Sequence, residues 1–132
     1  MKRRVIAACI LIAFSLAVGI TGLEVLKNSC EELAGSLSDL RLAALAAAEK
    51  PDNAAEVTAC AVHTSAIWEN KKTLFHVLTN HTELSEFETG VGQLEFYAKS
   101  HDYTELVKLS ELCIEEINHI KRSSELSISN IF

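Results

Sequence analysis
The chain has 132 residues, 48% of them hydrophobic, with 12 Lys and Arg against 18 Asp and Glu, for a net charge of −6. Lys2, Arg3 and Arg4 contribute +3, so the remainder carries −9, a surface that repels nucleic acid and anionic lipid headgroups and argues against both as direct partners. About 110 residues follow the first apolar segment, room for one compact core but not two, and a single Pro with abundant Ala, Leu and Glu favours helices over strands.

Residues 5–23 read VIAACILIAFSLAVGITGL, without a charged side chain. That is about the length a helix needs to cross roughly 30 Å of hydrocarbon. Lys2, Arg3 and Arg4 cluster on its N-terminal flank, so residues 1–4 are expected in the cytoplasm, with residues 24–132 outside it in the cell membrane's single-pass topology. A cleaved secretory signal is the rival, with Ala17, Val18 and Gly19 at cleavage spacing, but the run exceeds the usual signal core of about 7–15 residues. A lipoprotein signal does not fit, because Cys9 precedes most of the apolar run.

Four helices are expected next, over about 24–49, 53–79, 81–99 and 103–122, with a tail at 123–132. In the first, Leu26, Cys30, Leu33, Leu37, Leu40, Ala44 and Ala47 recur in steps of four and three, an amphipathic stripe continuous with the anchor. Pro51 stops it, since Pro disfavours helical geometry in the residue before it, and Asp52 or Asn53 can cap the second helix. That helix shows Val57, Ala61, Thr64, Trp68, Phe75 and Leu78, with Lys71 as a misfit. Asn80 with Glu83 resembles a capping box for the third, whose stripe is Leu84, Phe87, Val91, Leu94 and Ala98, weakened by Gly90 and Gly92. Asp102 with Glu105 starts the fourth, where Leu106, Leu109, Cys113, Ile117 and Ile120 form the face and Lys121 and Arg122 complement the helix end. Short connections make an antiparallel up-down bundle the expected fold: all-α, with a transmembrane helix running into the bundle. The Asn80 turn and the tail are then expected at the membrane face, the Pro51 and His101 turns at the far end.

With the elements in order, the chain resembles the domain of unknown function four-three-six-three family, short N-terminally anchored helical proteins of endospore-forming bacteria and their relatives. The likeness is carried by the basic start and anchor, Trp68 with Asn70-Lys71-Lys72, His81 with Glu83-Leu84 and Phe87, the Leu109 to Ile120 face, and the closing Leu126-Ser127-Ile128-Ser129-Asn130-Ile131-Phe132. The resemblance implies a fold class and a membrane address, and no activity. The cysteines and the Gly90, Gly92 pair depart from the family's pattern.

No residue set suggests catalysis. Cys60 and His63 share a helix face and make half of a zinc site, but Cys113 and His119 are six apart and do not supply the other half. Neither metal nor cofactor is expected. Cys60 and Cys113 form either a disulfide or two buried thiols, the latter being favoured. Asn80-His81-Thr82 has the form of a glycosylation acceptor but coincides with a helix cap. His76, His81, Glu83 and Glu86 gather at the third helix's start, where they can bind a cation or titrate, although a solvated cap is the plainer reading. Ile128, Ile131 and Phe132 are apolar residues on a tail returning to the bilayer, or folding back beside Trp68 and Phe75. The candidate interaction surface is therefore His81, Glu83, Glu86, Asn130, Ile131 and Phe132. The expected role is an accessory subunit of a membrane complex, bound to lipid through residues 5–23 and to another membrane protein through Ala13 with Ala17 or Ser15 with Gly19. A module binding a cation or basic peptide is the alternative.

Overall fold
A computed structural model describes residues 1–131, except for the side chains of Ile128 and Ile131; Phe132 lies outside the described residues. The protein is all-α, with four helices: α1 (Lys2–Glu49), α2 (Ala54–Leu78), α3 (His81–Lys99) and α4 (Tyr103–Ile131). A short 3-10 turn, Pro51–Asn53, precedes α2.

α1 is one unbroken helix of 48 residues, about 72 Å long at about 1.5 Å per residue. Its first portion is long and apolar enough to cross a membrane, and the apolar window is nowhere buried by the rest of the protein. Burial begins at Leu26 and then follows the stripe read from the sequence, through Cys30, Leu33, Leu37, Leu40, Ala44 and Ala47. The stripe ends where Pro51 begins its turn, and neither Asp52 nor Asn53 caps α2 through its side chain. α2 buries Val57, Ala61, Thr64, Trp68 and Phe75. Its misfit, Lys71, reaches across to α1, where its ammonium lies 2.7 Å from Glu32 and donates to Ser29 Oγ at 3.4 Å. Leu78, expected in the stripe, is instead 36% exposed at the last residue of α2.

The helices form a bundle in which α1 packs on α2 and α4, and α3 packs on the same two. Polar contacts give the register. Lys27, Glu31 and Arg41 of α1 meet Glu125, Lys121 and Glu111 of α4 at 3.9, 3.0 and 2.8 Å, so the partner's number falls as that of α1 climbs. Such exposed pairs contribute at most about 1 kcal/mol each and serve here as markers of alignment. Between α1 and α2 the buried hydroxyls of Ser36 and Thr64 share a hydrogen bond of 2.6 Å; Thr64 Oγ1 donates to the Cys60 carbonyl at 3.0 Å, so Ser36 is the donor between the two hydroxyls and is satisfied by it. Trp68 packs between Phe75 and Phe87, at centroid distances of 5.4 and 5.2 Å, joining α2 to α3.

Two further local features differ from the sequence reading. α4 was expected to stop near Arg122 but continues to Ile131, so the tail at 123–132 is helical through residue 131, and Lys121 bonds Glu31 instead of capping an end. The reason is local: Ser123 to Ile131 contains neither Pro nor Gly, and Glu125 reaches Lys27 on the neighbouring α1. Gly90 is also more than a weak point in α3. A Cβ there would stand 2.7 Å from Cys113 Sγ, so the missing side chain is what lets α3 approach α4. Gly92 has nothing within 4 Å of that position.

The far turn between α3 and α4 closes with His101 at φ 56°, in the left-handed region. His101 and Asp102 donate their backbone N–H groups to Ala98 and Tyr97, the paired bonds that close a helix end when one residue adopts this conformation.

Candidate functional site
The residues singled out at the start of α3 are held by its cap. Asn80 occupies the N-cap position and its Oδ1 accepts from Thr82 N–H at 3.0 Å. Glu83 does not complete the capping box; its carboxylate turns toward His119 of α4, 3.6 Å away. His76, His81, Glu83 and Glu86 therefore do not form one cluster. The helix periodicity divides them between two grooves.

On the α2 side, His76 lies 3.5 Å from Glu88, with the exposed His81 ring 5.8 Å from the His76 ring. On the α4 side, Glu83 and Glu86 line a groove of about 420 Å³ with Thr82, Leu112, Glu115, Glu116 and His119. The groove is acidic: four carboxylates face one imidazole. Glu116 is its deepest charged group. Its Oε2 is buried without a hydrogen-bond partner, and burial, followed by repulsion from Glu86, raises its carboxyl above the ordinary Glu value. Glu115, Glu116 and His119 were not grouped with Glu83 from sequence. Their spacing on α4 gives no hint of the partner helix; the visible signal was only that Glu115, Glu116 and His119 lie within one turn.

A second, smaller concavity of about 250 Å³ lies at the end of the bundle, where Leu23 of α1, the Leu78–Asn80 turn and Ser123, Ser124 and Ser127 of α4 meet. The structure thus brings the Asn80 turn and the last turns of α4 together beside the end of the apolar segment. Asn130 is exposed on α4. The predicted contacts of Ile128, Ile131 and Phe132 fall outside the described residues.

The cysteines remain apart. Cys60 is half-buried and Cys113 buried, and both are free thiols. Burial pushes the Cys30 and Cys113 thiols up to about 12, far from the thiolate that nucleophilic chemistry requires. His63 is exposed beside Cys60, while His119 lies toward Glu83, so the half-site on α2 gains no ligand from α4. Among the described residues no three His, Cys, Asp or Glu side chains converge to hold a metal ion.

No match is found among curated proteins or among solved structures. The model of one protein family does match, over residues 20–131, which takes in the whole bundle and leaves most of the apolar segment and the basic start outside. The chain belongs to that family, the domain of unknown function DUF4363.

Proposed function
We propose that this protein is a membrane-anchored accessory subunit, in which residues 5–23 cross the bilayer, residues 1–4 remain in the cytoplasm, and residues 24–132 stand outside as an antiparallel up-down four-helix domain. The observation that carries this reading is the exposure of the apolar half of α1 on every side, from Val5 through Ile20. An apolar helix in the core of a water-soluble protein would be covered; this one needs a solvent of its own. The unbroken helix from Lys2 to Glu49 supports an anchor over a cleaved signal, since the cleavage spacing at Ala17 to Gly19 falls inside regular helix. The ladder from Lys27–Glu125 to Arg41–Glu111, with the short turns at residues 50–53, 79–80 and 100–102, supports alternating helix directions.

No catalytic role is part of this reading, and no nucleic acid is a partner. In this reading the anchor acts as tether or as docking surface, and Ala13 with Ala17 and Ser15 with Gly19 offer small residues at four-residue spacing for a second transmembrane helix. The test is detergent extraction of the tagged full chain from native membranes. Retention in the membrane pellet at alkaline pH and recovery of a stoichiometric membrane partner are expected. Release into the soluble fraction would end the anchor reading, and recovery of the chain alone would end the subunit reading.

The second reading is a module that takes up a cationic side chain. The unpartnered Oε2 of Glu116 in the acidic groove favours it, because a buried carboxylate oxygen gains most from a donor. Thermal stabilisation of the chain by a basic peptide, absent in the Glu116→Gln variant, would support it over the first.

A further inference from the structure
The two ends of the bundle differ in charge. The far turns carry Glu49, Lys50, Asp52, Lys99, Asp102 and Glu105. At the near end, residues 73–80 of α2 and its turn contain no Asp, Glu, Lys or Arg, and neither do residues 126–131 of α4; Glu24, Glu83 and Glu125 border these apolar stretches. Instead, large apolar side chains face outward there: Val77 is 74% exposed, Leu126 64% and Leu78 36%.

Alignment along α1 puts these residues at a definite height. Leu78 approaches Gly22, at 3.6 Å from where a Cβ would stand, and Leu23 shares the end concavity with Thr79, Asn80, Ser124 and Ser127. The α2–α3 turn is thus level with the outer end of the apolar segment and not raised above it on a stalk. α4 runs four residues farther, about 6 Å at about 1.5 Å per residue. The nearest Lys–Glu pair, Lys27 with Glu125, lies about a turn above Leu23 and one residue along α4 from Leu126, which marks the upper edge of this apolar base.

We propose that the base of the bundle is seated in the outer headgroup and acyl boundary of the lipid bilayer, through Val77, Leu78 and Leu126. This rests on the anchor reading above, and the occupant it assigns is lipid. If Leu23 marks the hydrocarbon boundary, a turn at its level is already within the headgroup zone, and an interfacial segment of this kind buries its apolar side chains about 5–10 Å into that zone. The contact proposed is with acyl chains and not with lipid charge, since Lys27, four residues beyond Leu23, is matched by Glu125. The seat holds the bundle upright and fixes which grooves face other membrane proteins.

The experiment uses the full chain with Trp68→Phe, which removes the one native Trp, in phosphatidylcholine vesicles that carry bromine both near the headgroup and near the acyl-chain ends. Single tryptophans are placed as Val77→Trp, Leu126→Trp, Phe14→Trp in the anchor and Phe96→Trp toward the far end, all at exposed positions. Quenching of Val77→Trp and Leu126→Trp approaching that of Phe14→Trp, with Phe96→Trp unquenched, is the expected result. Quenching of Phe14→Trp while Val77→Trp and Leu126→Trp behave like Phe96→Trp overturns the seat and leaves the anchor standing. An unquenched Phe14→Trp overturns the anchor and the seat together. Blue-shifted but unquenched emission at Val77 that reddens as lipid is added shows self-association of the base and also overturns it. If the Trp68→Phe chain does not fold, Val77→Cys in a Cys9→Ala, Cys60→Ala chain, bearing an environment-sensitive dye, gives the same decision, since Cys30 and Cys113 are buried.

Discussion

Lys2–Thr21 and Leu26–Ala47 are parts of the same unbroken helix, but they meet their surroundings in opposite ways. The first part exposes every side chain, including Ile10, Leu11 and Phe14; the second buries one stripe and exposes charges such as Glu31, Glu32 and Asp39. Helical hydrogen bonding is common to both and so cannot account for the difference. What separates them is the arrangement of polarity around the axis: apolar on all faces in one, apolar on one face in the other. A helix of the first kind is long and apolar enough to cross a membrane, and a helix of the second kind calls for partner helices, which α2 and α4 provide. One consequence is that the two parts should fail independently.

A pair of substitutions breaks the comparison most sharply. Phe75→Ala, at a fully buried side chain against Trp68, should cost about 3–5 kcal/mol of bundle stability, read as a lowered thermal midpoint, with membrane partitioning unchanged. Ala13→Arg should do the reverse: about 3 kcal/mol of insertion free energy is lost at the centre of the span, while the bundle's thermal midpoint stays where it was. If Ala13→Arg melts the bundle, the independence of the two parts is wrong.

The glycines of α3 sharpen the comparison within the bundle. Gly90→Ala forces a contact of 2.7 Å on the short, buried Cys113 side chain, so strain should outweigh the gain in helix propensity by about 1 kcal/mol. Gly92→Ala meets nothing and should raise stability by about 1 kcal/mol. Denaturant midpoints of the two variants should therefore move in opposite directions. Cys113→Ala should reduce the harm done by Gly90→Ala, because the clashing sulfur is gone.

The smallest expected effect concerns Glu116. Its carboxyl is raised in the folded protein by burial and by Glu86, so the folded state favours the protonated form. The sign follows: this contribution to stability is present below the ordinary Glu value and is lost as the pH rises through the raised one. Glu116→Gln should raise the thermal midpoint at neutral pH by the equivalent of at most about 1 kcal/mol, with the gain fading in acid. An equal gain at both pH values would mean that charge is not the cause.

The stripes were legible because helix periodicity is a property of the chain alone. Leu26 to Ala47, Leu84 to Ala98 and most of Leu106 to Ile120 are buried as their spacing requires. The candidate site was less legible. His76, His81, Glu83 and Glu86 are close in sequence, and closeness suggested a cluster, but the rotation of about 100° per residue along α3 turns Glu83 and Glu86 to the α4 groove, while His76, on α2, meets Glu88 on another face of α3. Lys71 looked like an error in the α2 stripe because its partner, Glu32, lies on another helix.

By itself, the sequence determined which segments are helical as far as Arg122, where Pro51 and the Asn80 cap divide them, and that residues 5–23 differ in kind from everything after them, because propensity, capping and polarity act over a few residues at a time. Only the tertiary structure decided that Glu116 is left without a partner, that Gly90 makes room for Cys113, and that the α2–α3 turn stands level with Gly22 and Leu23. Each of those depends on the register between helices, which is set by the packing of side chains distant in the chain and leaves no mark on the spacing within any one of them.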